Sequence, residues 1–211
     1  LAANADVILE SFAPNKLTAV GLDYTALSAA QPKLIMTSLT PFGQDGPRAN
    51  WAWSDAIGLA LGGPMAVCGY DDLPGTPPIR PTAHQAFHIG SHFGAAGTLV
   101  ALIERADSGR GQYVAASIHE ACAPTTEVAM PYALFEGQSL LRQTGRHAAS
   151  RPTEPWNYPA SDGRAINIFG MPRGDADFLR LIEWTEESGL GGDLRNAELR
   201  DGRKRQLGLL S

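Results

Sequence analysis

Three histidines at four-residue spacing, His84, His88 and His92, form one set of side chains that could do chemistry. On a helix, positions i, i+4 and i+8 stack down one side, which offers a candidate metal face. The drift of roughly 80° between i and i+8 argues against one ion meeting all three. Polar or half-buried histidines are the plainer account, and no metal is assigned. Phe42-Gly43-Gln44-Asp45-Gly46-Pro47 is a second candidate, because its glycines let backbone N–H groups approach a phosphate. A plain turn between strand and helix is its alternative. The stretch from Arg142 to Pro155 holds several cations, suited either to a ligand's phosphates or to a solvated connector. His119 and Glu120 follow a predicted strand. Cys122 reads as a small core residue with no chemistry.

The elements that must position these residues read as α/β. Asp6 to Glu10 is a predicted strand whose Val7-Ile8-Leu9 run suits a buried parallel position. Asn15 to Gly21 and Asp23 to Ala30 read as short helices, with Asp23 as an N-cap, and Leu34 to Leu39 returns as a strand. Together they make a βαβ unit. A Pro/Gly-rich loop from Thr40 ends in Trp51 and Trp53, and Ser54 caps a helix that runs to about Leu61 before Gly62-Gly63-Pro64 breaks it. The longest element is a central helix. Phe87, Ile89, Phe93, Leu99, Val100, Leu102 and Ile103 supply its bulk, and small residues from Gly90 to Gly97 crowd its middle. So many small side chains invite another backbone to approach, which predicts burial. Ser108-Gly109-Arg110-Gly111 ends the helix, and Gln112 to Ala116 reads as a strand.

Beyond it, Ser117 to Phe135 reads as a helix bent at Pro124 and Pro131. An irregular stretch, a strand at Ala165 to Phe169 and an amphipathic helix at Asp175 to Glu187 follow. The fold expected is a doubly wound parallel sheet over 1–145, a linker over 146–161 and the start of a smaller α+β domain over 162–211.

Composition excludes several classes. The formal net charge is −5 and no Lys/Arg run exists to follow a phosphate backbone, so nucleic acid is not an expected partner. Two cysteines without a CxxC pattern make no disulfide framework, which points to a reducing compartment and a cytoplasmic site. No apolar run is expected to reach the roughly 20 residues of a membrane span. The Leu-Ala-Ala-Asn start lacks the regions of a signal peptide. A chain that opens almost on a strand and closes on Leu207-Gly208-Leu209-Leu210-Ser211 reads as a piece of a longer protein.

Four blocks, in order, carry a resemblance. Ala5 to Pro14 (ADVILESFAP) is similar to "ADVLIENFRPG". Pro32 to Ile35 with Phe42 to Pro47 is similar to "NPRLIY…GFGQxGP". The stretch ALIERADSGRGQYVAASIHEA, Ala101 to Ala121, resembles "AL…R…TGxGQ-V-D-S…EA". These are the signatures of the family III CoA-transferases, the carnitine dehydratase/bile-acid-inducible F group, and they span roughly residues 5 to 165.

The resemblance implies CoA exchange between two carboxylic acids, with acyl-CoA as substrate and no permanently bound cofactor. An aspartate attacks the thioester to give a mixed anhydride. The released CoA thiolate attacks the enzyme's acyl carbon to give an aspartyl-CoA thioester, and the incoming acid reverses both steps. It further implies a homodimer, or a partner lobe of the same parent chain. Phe42, Gly43, Gln44, Gly46 and Pro47 would then meet pantetheine or phosphate, and Asp55 matches a family aspartate after that loop. Where racemase members place a histidine before it, this sequence has Ser54, which disfavours racemisation.

Two departures stand against turnover. Counting back from Gly97-Thr98-Leu99-Val100-Ala101-Leu102, which resembles the family's "GILAAL", sets the aspartate's place at about Phe87, or at Ala86 or His88 with a one-residue slip, and no Asp or Glu occurs between Asp72 and Glu104. Ala13 and Ala19 stand where the family has cations for CoA's adenosine and phosphates. The expectation is a CoA-transferase family member with its nucleophile replaced. Its alternative is a non-catalytic CoA-binding or dimer-scaffold lobe.

Overall fold

The computed structural model describes residues 2–126, 128–167, 174–196 and 200–201. The apolar tail at Leu207–Ser211 and the last two residues of the strand expected at Ala165 to Phe169 lie outside them. Contacts divide the chain into two units, Leu1–Pro155 and Trp156–Ser211.

The first unit is built on three parallel strands in the order β1-β2-β3: β1 (Val7–Glu10), β2 (Ile35–Thr40) and β3 (Tyr113–Ser117). Val7 pairs with Ile35, and Met36 with Tyr113. Between β1 and β2 come a 3-10 turn at Thr18–Val20, ended by Gly21, and α1 (Tyr24–Ala30). Asp23 caps α1, its carboxylate accepting from the Ala26 N–H at 3.0 Å. Between β2 and β3 come α2 (Asp55–Leu61), α3 (Pro64–Val67) and α4 (Gln85–Ser108). Ser54 caps α2 through the Ile57 N–H, and Pro64 starts a new short helix instead of continuing the old one.

Helices cover both faces of the sheet. Tyr24 of α1 packs on Tyr113, while α4 lies on the side of Val114 and Ala116. The stripe Ala86, Gly90, Gly94, Thr98 and Ala101 is the buried face of α4. Thr98 Oγ1 donates back to the Gly94 carbonyl and lies 2.6 Å from Thr37 Oγ1, a polar stitch between helix and sheet. The helix is therefore half-buried, not buried all round. Its bulky residues point the other way, with Leu99, Val100 and Ile103 at 60–70 % exposure. Small residues were the right signal for close approach, but they govern one face only. A second expectation also changes: α4 is long and apolar enough to cross a bilayer by length and composition. What it does in this structure is pack its small-residue face on β2 and β3.

The Gly94 stripe gives a measurable expectation. A Cβ at Gly94 would meet Ala116 Cβ, Thr37 Cγ2 and Leu39 Cδ1 at 3.8–3.9 Å, ordinary contact. Gly94→Ala should leave the urea midpoint within experimental scatter or raise it. Gly94→Leu must fit a longer, branched side chain between α4 and the sheet, beside the cavity that Gly94 lines with Thr37 and Leu39, and should cost about 1–3 kcal/mol. Equal midpoints for both variants would place this face of α4 away from the sheet.

After β3 the chain continues as α5 (Ile118–Cys122), a 3-10 segment at Ala123–Thr126, α6 (Ala129–Pro131) and a π-turn at Tyr132–Glu136. The prolines break the expected helix into these pieces. Leu59, Ala86, Ile118 and Cys122 form the core, with Leu39, Trp53, Met65 and Ile89 packed around them. Burial, and then the negative charge of Asp55, push the Cys122 thiol's pKa up. The second unit holds an antiparallel pair, β4 (Asn157–Pro159) with β5 (Ala165–Asn167), and α7 (Asp175–Glu187), whose Ile182 is fully buried.

Candidate functional site

β1, β2 and β3 end at Glu10, Thr40 and Ser117, so their carboxyl ends share one edge of the sheet. Ligands of open α/β sheets bind outside that edge. The loop Phe42–Pro47 leaves β2 there. Gly43 and Gly46 sit at φ +90° and +91°, a left-handed region that few other residues accept. Gln44 points inward: its Nε2 donates to Glu10 Oε1 and to Ser38 Oγ, each at 2.8 Å. Glu10 Oε2 accepts from the Phe12 N–H at 2.8 Å, so this buried carboxylate is held on both oxygens. The loop is thereby locked to the ends of β1 and β2, and the Pro41 carbonyl accepts from the His119 N–H on α5.

A chain of rings runs from this loop to the start of α4. Phe42 stands nearly perpendicular to Trp53, with centroids 5.5 Å apart, and lies 5.9 Å from Trp51 and 5.7 Å from His119. Trp53 meets Phe87 edge-on at 6.1 Å, and Phe87 lies 6.2 Å from His84. The structure thus brings together the loop and Phe87, with Trp53 as the link. The sequence reading gave the two tryptophans no role. The signal was present as a Trp-Ala-Trp set in a Gly/Pro-rich loop, where large rings have no strand or helix to serve.

Asp55 joins the same place from below. It is 4 % exposed; its Oδ1 accepts from the Ala86 N–H at 2.9 Å, and its Oδ2 lies 3.9 Å from Arg80 without a hydrogen bond. A carboxylate at the N-terminus of a 24-residue helix is favoured by the dipole, so Asp55 anchors α4 one residue before Phe87. The chain enters α4 through Ala83 and His84 at φ +63° and +53°, two successive non-glycine residues in the left-handed region. Such strain costs roughly 1–2 kcal/mol per residue and concentrates at functional sites. Phe87 itself, in the first turn, is 43 % exposed.

On the other face of the sheet from α4 lies a cavity of about 810 Å³, floored by Met36, Tyr113 and Ala115. Its rim carries Glu10, Asp23 and Asp45, and Ala13 lines it where the resemblance sets a cation. No Lys or Arg lines it.

Of the remaining candidates, His84 and His119 border the ring chain. His92 Nδ1 lies 2.7 Å from its own helix's His88 carbonyl oxygen, and His84 stands in the left-handed cap. Among the described residues no group of three His, Cys, Asp or Glu could hold a metal. Arg142 donates to the Tyr70 and Thr76 carbonyls at 3.2 and 3.1 Å. Arg146 pairs with Asp71 at 2.7 Å and bonds the Thr153 carbonyl. The Thr144 N–H and hydroxyl, with Arg146 beside them, hold the Asp71 carboxyl below its ordinary value. These cations pin the 70–76 loop through its backbone carbonyls and Asp71. Glu120 is exposed, and its N–H donates to the Ser117 hydroxyl.

Comparison with known proteins closes the question of kinship. The model for CoA-transferase family III matches residues 1–208. A succinyl-CoA:(R)-benzylsuccinate CoA-transferase subunit from Thauera aromatica is 33 % identical over 190 residues, 90 % of this chain and 44 % of that one. Succinyl-CoA–D-citramalate CoA-transferase from Chloroflexus aurantiacus is 34 % identical over 198 residues, covering 93 % of this chain and 47 % of its own. The crystal structure of a CaiB/BaiF family protein from Brucella suis superposes with a TM-score of 0.69 at 26 % identity, over 99 % of this chain and 52 % of that one. The chain spans about half the length of the curated relatives it matches. By family model, identity and fold alike, it belongs to CoA-transferase family III.

Proposed function

We propose that this chain is one lobe of an acyl-CoA:carboxylate CoA-transferase, acting on CoA thioesters but lacking the nucleophile in its own first turn of α4. The observation that carries the reading is Phe87. Its ring stands half-exposed beside Trp53, at about the place where the resemblance sets the reacting aspartate. A phenyl ring forms no anhydride, and the nearby Asp55 is buried and committed to the α4 N-terminus. The transfer chemistry then belongs to a carboxylate of a partner lobe. Relatives named as alpha and beta subunits of one succinyl-CoA–L-malate CoA-transferase, 36 % and 30 % identical to this chain, support such a division.

In this reading Phe42, Gly43, Gln44, Gly46, Pro47 and Asp55 frame the CoA side. Gln44 and Asp55 act through the backbone they hold, since their side chains are already engaged. The large-domain part covers 1–145, a linker 146–161 and the start of a smaller domain 162–211, in a dimeric cytoplasmic enzyme. Isothermal titration of the chain with CoA tests it. Binding with no exchange between succinyl-CoA and a second acid is the expected result. Absence of binding at millimolar CoA would sink the CoA role of this lobe.

A further inference from the structure

Asp-Gly pairs occur in the chain at 45–46, 162–163 and 201–202, and the last runs outside the described residues. Such a pair has a chemistry of its own. Glycine has no side chain to block its nitrogen, so that nitrogen can reach the carboxyl carbon of the preceding aspartate and close a five-membered ring. The fold treats the two described pairs differently. The Gly163 N–H donates to the Ala160 carbonyl at 3.0 Å. Asp162 Oδ1 accepts from the Arg164 N–H at 3.0 Å, and Oδ2 lies 3.5 Å from the Arg164 guanidinium. Both reacting groups are thus tied into a turn. Asp45 is exposed, and among the described residues its carboxylate has neither a hydrogen bond nor an ion pair. The Gly46 N–H donates to no group among them, although the Gly46 carbonyl accepts from the Ala49 N–H at 3.3 Å. A Cβ on either glycine would meet nothing within 4 Å, so room does not distinguish the pairs. Hydrogen bonding does.

We propose that Asp45–Gly46 is a site of spontaneous backbone isomerisation in the loop that leaves β2. The Gly46 nitrogen forms a bond to Cγ of Asp45 in its protonated acid form. The Cγ–O bond breaks, and the hydroxyl leaves as water with the nitrogen's proton. Solvent water then opens the succinimide at either carbonyl, with no oxidant, reductant or enzyme. Attack at the main-chain carbonyl breaks its bond to the Gly46 nitrogen and leaves isoaspartate. The main chain now runs through Cβ and Cγ, one methylene longer, and the carboxylate hangs from Cα. Gln44 is held by Glu10 and Ser38, so the added length displaces Gly46 and Pro47 instead. The carboxylate moves with it at the rim of the cavity of about 810 Å³. The consequence for ligand binding, though not the isomerisation, rests on the reading of this loop as part of the CoA side.

The test ages the full chain in warm neutral buffer for several days and digests it with trypsin. Methylation by an isoaspartyl methyltransferase, with fragment mass spectra, then locates isoaspartate in Leu34–Arg48 and His147–Arg164, the peptides that carry the two pairs. Isoaspartate is expected at Asp45 at least about tenfold faster than at Asp162, because the hydrogen bonds that hold the second pair must break first. In urea those bonds are gone and the two rates should converge. Asp45→Glu, which could close only a larger ring, should stay unmodified there and keep its fresh CoA affinity after ageing. No isoaspartate at Asp45, equal rates in the folded chain, or the same ratio of rates in urea would each overturn the inference. CoA titration of fresh and aged chain separates it from the CoA-transferase reading. A CoA-binding capacity that falls in step with the isoaspartate fraction upholds both. Isoaspartate with unchanged CoA capacity upholds the site and removes the loop from CoA binding. No CoA binding by the fresh chain defeats the CoA role and leaves the isomerisation standing.

Discussion

Incubated with succinyl-CoA, this chain is expected to show no covalent CoA adduct by intact mass, and no hydroxamate or alcohol at any carboxylate after hydroxylamine or borohydride. The family's cycle requires a carboxylate that becomes an anhydride and then a thioester. Two of the carboxylates near the mouth are already engaged. Glu10 is bonded on both oxygens, and Asp55 is buried against the Ala86 N–H. Phe87→Asp returns a carboxylate to the first turn of α4. The helix terminus favours it by about 0.3–1 kcal/mol, and the lost ring contact with Trp53 costs about 0.5–1.5 kcal/mol, so the variant should fold. Its position is half-exposed, which makes burial of the new charge cheaper than in a closed pocket. The charge of Asp55 at the same helix end opposes a second carboxylate and raises its pKa, and the acidic cavity with Ala13 in its wall offers CoA's phosphates no cation. A trace of adduct on Phe87→Asp, below about one-tenth of the chains, is therefore the expected ceiling. An adduct on the unaltered chain would overturn the missing-nucleophile argument. Peptide mapping would then name the residue, with Asp55 and Glu120 the first to inspect.

The sequence was informative where local rules decide structure. Asp23 and Ser54 cap the helices they were expected to cap, and Gly109 closes α4 in the left-handed region at φ +72°. The parallel strands were readable from continuous apolar runs. Burial was less so. Leu9, in a run typical of buried strands, is 71 % exposed, because a period-based reading assumes that something lies on each face. The site was legible only in outline. The Gly-rich loop could be found from composition, but nothing local says that Gln44 would turn inward to Glu10 and Ser38. The partners lie 34 and 6 residues away. Asp55 illustrates the same limit, since its partner Ala86 is 31 residues further along the chain. The arginine and glycines of the signature block turn out to be structural ties. Arg105 donates to the Lys33 and Asp6 carbonyls and pairs with the Asp6 carboxylate at 3.2 Å, joining α4 to the edges of β1 and β2. A motif that marks a family of enzymes here marks the joints of its scaffold.

Gly111→Ala should be the most damaging single substitution among these joints, costing about 4 kcal/mol or more. A Cβ built on Gly111 would lie 1.8 Å from the Leu34 carbonyl oxygen, 2.4 Å from its carbon and 2.6 Å from the Lys33 carbonyl carbon. All three atoms are backbone, so no side chain can rotate away. The segment they belong to cannot retreat either. The Gly111 N–H donates to the Pro32 carbonyl at 2.8 Å, and one residue on, the Gln112 carbonyl accepts from the Met36 N–H at 3.0 Å. Moving the two strands apart to admit a methyl group would break the start of the β2–β3 ladder, where Met36 pairs with Tyr113. Gly109→Ala is the control. Gly109 has a left-handed φ and nothing within 4 Å of its would-be Cβ, so alanine there carries only the conformational cost, about 1–2 kcal/mol. Urea denaturation of both variants separates close approach from turn conformation. A Gly111→Ala midpoint equal to that of Gly109→Ala would mean that strand β3 does not enter the sheet against Leu34, and the register of the whole parallel sheet would have to be redrawn.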